Sequence, residues 1–179
     1  MAYRRRLPHF QAGDCPVFLT WRLYGSLPPS RVFGSEASAG HAFVAMDSLL
    51  DRARSGPLHL RRPEVAGPMV RALLYGQDSM KYYQLHAWVV MANHVHVLLS
   101  PFVEVAKITH SLKRFTAREA NRILGLIGQP FWQDESYDHL VRDGGEFDRI
   151  VRYIENNPVT AGLVSAPVDF PWSSAAHGS

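Results

Sequence analysis

Tyr83-Gln84-Leu85-His86-Ala87-Trp88-Val89-Val90-Met91-Ala92-Asn93-His94-Val95-His96-Val97-Leu98-Leu99-Ser100-Pro101 is the stretch that decides the fold. Two apolar runs, Leu85 to Met91 and Val95 to Leu99, flank Ala92-Asn93. Runs of this length, rich in Val, Leu and Trp, form strands, and the small polar break between them forms a hairpin turn. His94 and His96 stand at i and i+2 in the second run. Side chains alternate across a strand, so both imidazoles project from one face while Val95, Val97 and Leu99 project from the other. Two imidazoles converging from a rigid sheet can hold a divalent metal. A pair of hydrogen-bonded core histidines would look the same in sequence, and the pair alone leaves both readings open.

Upstream, Cys15 to Leu23 reads as a strand, with Phe18, Thr20 and Arg22 on one face and Val17, Leu19, Trp21 and Leu23 on the other. Gly25 to Ser30 is a loop. Between His41 and Arg54, Phe43, Met46, Leu49 and Leu50 fall at helical spacing. Pro57 to Pro68 interrupts that pattern and Val70 to Tyr75 resumes it. Residues 25–80 read as a helical layer packed on a sheet, with no chemistry in them.

Downstream, Val105 to Leu126 is the longest helix, with Ile108, Leu112, Phe115 and Ile123 as its buried stripe. Lys107, Arg114, Arg118 and Arg122 share another face, flanked by Lys113. Only Glu104 and Glu119 offset these charges, so the face is either solvated or a track for a phosphate backbone. Phe131 to Arg142, if extended, sets Tyr137, His139 and Val141 on one side. A helix through Glu146 to Asn157 turns Phe147, Ile150, Val151 and Ile154 inward and is stopped by Asn156-Asn157-Pro158. This order of elements predicts an α+β fold: a ferredoxin-like sandwich, an antiparallel sheet with helices on one face, plus a C-terminal helical extension. Residues 1–179 are expected to form a single domain whose tail, from about 159, is irregular and packed by Trp172.

Composition bounds the function. The chain has 179 residues, 46% hydrophobic and 20% charged, which suits one globular domain. Nineteen basic residues and a formal charge of +3 lean mildly toward an anionic partner. Arg4, Arg5 and Arg6 form either a phosphate-contacting arm or a solvated tail. The single cysteine, Cys15, excludes an internal disulfide and a Cys-rich zinc site. No secretory signal follows the N-terminal arginines, and no run nears the ~20 apolar residues needed to cross a bilayer. A cytoplasmic location is expected.

Several spaced blocks carry a family resemblance across nearly the whole chain. Val89 to Leu99, containing Asn93-His94-Val95-His96, resembles the His-hydrophobic-His block of the single-tyrosine transposases. Phe131-Trp132-Gln133, followed by Tyr137-Asp138-His139 and Val141-Arg142-Asp143, resembles their tyrosine block. Tyr153-Ile154-Glu155-Asn156-Asn157-Pro158-Val159, Ala161-Gly162-Leu163 and Pro171-Trp172-Ser173-Ser174 resemble the C-terminal signature of the REP-associated branch. Arg5-Arg6-Leu7-Pro8-His9 and the strand from Phe18 to Arg22 resemble its opening.

The resemblance implies a ferredoxin-like enzyme, nucleoid-associated, that cuts and rejoins single-stranded DNA at small hairpins such as palindromic repeats. It implies His94 and His96 as ligands of Mg²⁺ or Mn²⁺ and Tyr137 as the nucleophile forming a 5′-phosphotyrosine. Lys107, Lys113, Arg114, Arg118, Arg122 and the arginines at 4–6 would contact DNA. Two positions depart from the pattern. Ala92 stands where proline is usual, and Val141 occupies the position four residues after the tyrosine where related enzymes carry a polar third ligand. His139, Asp138, or water and phosphate oxygens would then complete the metal shell. Relatives are monomers or homodimers, and both remain open. The competing functions are a non-catalytic DNA-hairpin-binding protein and a metallohydrolase that forms no protein–DNA adduct.

Overall fold

The computed structural model describes residues 15–27, 47–52 and 56–178. Strand β1 (Val17–Arg22) is followed by a helical turn over residues 47–51 and by helix α1 (Pro63–Asp78). The hairpin comes next, as β2 (Tyr83–Val90) and β3 (His94–Pro101), with Val90 opposite Val95. Helix α2 (Val105–Leu124), strand β4 (Tyr137–Leu140) and helix α3 (Gly144–Thr160) follow, and a short helix α4 (Ser174–His177) ends the chain. The sheet has the order β2-β3-β1-β4 with every neighbour antiparallel. Two β-α-β units with this order make the ferredoxin-like sandwich that the sequence leads one to expect.

Strand periodicity sorts the side chains onto two faces. Val17, Leu19, Trp21, Val95, Val97 and Leu99 pack with Val65, Met69 and Leu73 of α1 and with Ile108 and Leu112 of α2. Phe18, Ala87, Val89 and Leu98 pack on the opposite side against Ile154, Phe147, Ile150 and Val151 of α3. Each fully buried Leu, Val or Ile contributes about 1.5–3 kcal/mol, so both layers are held by burial. The two crossover helices thus share one face, and the C-terminal extension covers the other.

Several boundaries differ from expectation. Helix α1 starts at Pro63 and runs through Pro68, where the sequence suggests an interruption. Proline is well suited to a first turn, and Pro68 is buried where it lines the groove between α1 and α2, which offsets its missing hydrogen bond. Helix α3 likewise passes Pro158 and ends at Thr160. In α2 the buried stripe is Ile108, Leu112, Thr116 and Ala120, while Phe115 is 42% exposed. Spacing by four residues keeps 108, 112, 116 and 120 on one line, and Phe115 falls beside it. The tail is more ordered than expected. Trp172 accepts from Val90 N–H at 2.8 Å and Ser174 Oγ accepts from Trp88 N–H at 3.1 Å, so the tail covers the open edge of β2. Of the expected helix at 41–54, residues 41–46, 53 and 54 lie outside the described residues. No described helix is long and apolar enough to cross a membrane.

Candidate metal centre

His94 and His96 project from the face of β3 that α3 covers, and both are fully buried. Their rings lie 4.7 Å apart. Each ring is fixed through its Nδ1. His94 Nδ1–H donates to Asn93 Oδ1 at 2.7 Å, and Asn93 is itself turned by donating from Nδ2 to the Leu50 carbonyl at 3.0 Å. His96 Nδ1 lies 2.7 Å from Thr20 Oγ1, its cross-strand neighbour on β1. On His94, Nδ1 carries the proton and Nε2 keeps its lone pair, the form in which imidazole binds a metal. Burial, then the neighbouring His96, drives His94 down to about 3 while Asp47 opposes the shift, so this ring is neutral near pH 7.

The third member is Asp47, in the segment that sequence reading left without chemistry. Its Oδ1 is 2.9 Å from His96 Nε2 and 3.5 Å from His94 Nε2. One ligand atom from each of Asp47, His94 and His96 fits within 4.8 Å of the others, all three residues being buried. Burial pushes the Asp47 carboxyl up, but the attraction and hydrogen bonding of His96 outweigh it and hold the group below the usual carboxylate range. Asp51, one turn on, reaches 3.8 Å from His94 Nε2. Burial and the Asp47 charge raise Asp51 to about 7. Asn157 of α3 donates from Nδ2 to Asp47 Oδ2 at 3.4 Å.

These donors fit a divalent cation. Asp51 Oδ1, His94 Nε2 and Asn157 Oδ1 are buried with no hydrogen-bond partner among the described residues. Leaving such a group unpaired costs about 1–3 kcal/mol, a cost that a bound cation would remove. Two imidazole nitrogens with a carboxylate oxygen suit first-row divalent ions. The sequence signal missed was the spacing of Asp47 and Asp51, i and i+4 on one helical face.

The other expected residues are distributed differently. Tyr137 opens β4 opposite Thr20, which is opposite His96, so all three share one row of one face. Two inter-strand steps of about 4.8 Å separate Tyr137 from His96. Tyr153 comes from α3: its ring centroid is 5.5 Å from that of His96, and its hydroxyl is buried. His139 Nε2–H donates to Glu146 Oε1 at 2.8 Å, and the other oxygen of Glu146 accepts from Arg142 N–H. This ties His139 to the start of α3 and away from the cluster. Asp138 pairs with Leu19 and so faces the other side of the sheet.

Lys113 points inward rather than toward solvent. Its ammonium donates to the carbonyls of Gln133 and Asp134 at 2.7 and 2.9 Å and to Ser136 Oγ at 3.2 Å, fastening the loop ahead of β4. Lys107, Arg114, Arg118 and Arg122 are exposed on α2, across the sheet from the histidines. Two of them, Arg118 and Arg122, lie within ion-pair distance of Glu119. Arg4, Arg5 and Arg6 lie outside the described residues.

A family model described as "Transposase IS200 like" matches residues 64–157, which include both histidines and both tyrosines but not Asp47. The REP-associated tyrosine transposase of Escherichia coli strain K12 is 28% identical over 106 residues, covering 59% of this chain and 62% of that protein. The matched stretch is therefore under two thirds of the relative's length. A solved REP-associated tyrosine transposase bound to a REP hairpin aligns over 99% of this chain and 84% of its own, with a TM-score of 0.61 and 19% identity. At that identity the likeness establishes the fold.

Proposed function

The chain belongs to the IS200-like transposase family, and from that premise we propose that it cuts and rejoins single-stranded DNA carrying small hairpins, using a divalent metal and a tyrosine nucleophile. The observation that carries this reading is the buried Asp47–His94–His96 cluster, with one ligand atom from each residue within 4.8 Å of the others. Hairpin DNA is proposed because the solved relative is bound to one. In this reading Asp47, His94 and His96 hold the ion, Asn93 and Thr20 fix the rings, and Asn157 steers Asp47. Mg²⁺ or, better suited to imidazole, Mn²⁺ would offset charge developing on the scissile phosphate.

Two tyrosines compete for the nucleophile. The resemblance nominates Tyr137, but the geometry favours Tyr153. Tyr153 packs against His96, and Asn157, one helical turn further, contacts Asp47. A tyrosine with a polar residue four positions on is the pattern that Tyr137 and Val141 fail to supply, and Tyr153 with Asn157 meets it. The phenol oxygen attacks phosphorus, a tyrosine–phosphate bond forms, and the bond to the 3′ oxygen breaks. The phenol proton ends on that 3′ oxygen, giving a 5′-phosphotyrosine and a free 3′-OH. Because one phosphoester replaces another, a 3′-OH can reverse the step without ATP.

The test is incubation with hairpin-bearing single-stranded DNA and Mn²⁺, resolved on a denaturing gel. The expected result is a protein–DNA adduct that wild type and Tyr137→Phe form and Tyr153→Phe does not. Adduct lost only in Tyr137→Phe returns the role to Tyr137. Cleavage without any adduct identifies a metal-activated water, and hairpin binding without cleavage identifies a non-catalytic DNA-binding protein.

A further inference from the structure

Arg22 is the last residue of β1 and shares the face of Thr20. By register it is the neighbour of His94, as Thr20 is of His96. Side chains opposite each other on one face of an antiparallel pair lie about 5 Å apart at Cβ. The Arg22 side chain therefore rises from the floor of the site one strand from the cluster, with its guanidinium turned toward Ser26. It is half-buried, and among the described residues its side chain makes one hydrogen bond, from Nη1 to Ser26 Oγ at 3.3 Å. Among the described residues no carboxylate stands within ion-pair distance of it. Burial lowers its pKa and the more distant Glu135 raises it, the signature of a cation taken partly out of water without a close counter-ion. A guanidinium carries five N–H donors, and among the described residues one of those on Arg22 is used.

Charge counting indicates a ligand for the guanidinium. A divalent ion facing the Asp47 carboxylate leaves one net positive charge at the cluster. Phosphoryl transfer builds more than one negative charge onto the non-bridging oxygens, and fixed cations are the usual means of stabilising it. We infer that Arg22 binds a non-bridging oxygen of the scissile phosphate, on the β1 side of the metal cluster, and stabilises the transition state. This rests on the proposed function and is independent of which tyrosine attacks. Arg22 lies outside residues 64–157, so the family match does not assign it a role. Guanidinium planarity suits two oxygens of one phosphate, which an ammonium cannot match.

The experiment is single-turnover cleavage by the full chain with Mn²⁺, using a hairpin oligonucleotide with either a normal phosphodiester or an uncharged methylphosphonate at the cut site. Arg22→Ala should lower the rate of adduct formation on the phosphodiester by roughly 10²–10³-fold, as loss of one transition-state donor does elsewhere. Arg22→Lys should recover part of that loss. On the methylphosphonate the wild-type and Arg22→Ala rates should converge. Unchanged Mn²⁺ affinity and thermal unfolding of Arg22→Ala show that the site is intact. A variant that cleaves the phosphodiester at the wild-type rate, or that loses equal rate on both substrates, overturns the inference alone. Wild-type protein that forms no adduct overturns the proposed function and this inference together.

Discussion

At the scale of single residues, the site gathers metal-ligating atoms from three buried side chains. His94 and His96 have their Nδ1 atoms occupied, so their Nε2 atoms converge on Asp47. Asp47→Ala should weaken Mn²⁺ binding, measured by calorimetry, at least as much as the 10–100-fold expected for an outer partner such as Asn93 or Asn157. His139→Ala should leave that affinity unchanged, because its imidazole serves Glu146. Asp51 gives a pH prediction. Its folded pKa of about 7 is above its unfolded value, so the folded state holds a proton that the unfolded chain releases. Its stabilising contribution is complete below about pH 4 and is lost as pH rises through about 7. Urea unfolding of metal-free protein should show wild type losing roughly 2–4 kcal/mol relative to Asp51→Asn across that window. Mn²⁺ should shrink the difference. The histidines were legible in sequence because alternation alone assigns their face. Asp47 was not, since its i, i+4 spacing with Asp51 marks a shared helical face without telling whether that face meets β3 or water.

At the scale of elements, strand patterns proved easier to read than helix ends. The hairpin, β1 and the two-faced sheet follow from period-two alternation, while α1 and α3 continue through Pro68 and Pro158. Tertiary burial of each proline overrides the local rule. Helix α3 matters most, because it brings Tyr153 and Asn157 over the histidines, a contact that no spacing within the helix announces. Its start is fixed by Asp143, which accepts from Glu146 N–H at 2.8 Å. Asp143→Ala should cost about 1 kcal/mol in chemical denaturation, the usual worth of an N-cap. Gly76 of α1 faces the Tyr83 ring, and an added Cβ would lie 2.6 Å from Tyr83 Cζ. Gly76→Ala should therefore destabilise by roughly 1–3 kcal/mol despite alanine's better helix propensity, with Tm as the check.

At the scale of the whole molecule, chemistry and basic charge lie on opposite sides of the sheet. The cluster is under α3, whereas Lys107, Arg114, Arg118 and Arg122 are on the outer surface of α2. Sequence reading could group these cations on one helix face but could not say which face of the sheet that helix covers. If DNA wraps to reach them, Arg114→Ala with Arg118→Ala should weaken binding and flatten the salt dependence by about 1.4–1.8 in log–log slope. The cleavage rate at saturating DNA should not change. In the proposed reaction a tyrosine at the Asp47–His94–His96 cluster becomes joined to DNA. Tryptic mapping of the adduct by mass spectrometry tests it most directly, because the peptide Ile123–Arg142 holds Tyr137 and the peptide starting at Tyr153 holds Tyr153, each as its only tyrosine. The account predicts the nucleotide on the peptide starting at Tyr153. An adduct on any peptide lacking both residues, or DNA cut with every peptide unmodified, would contradict it.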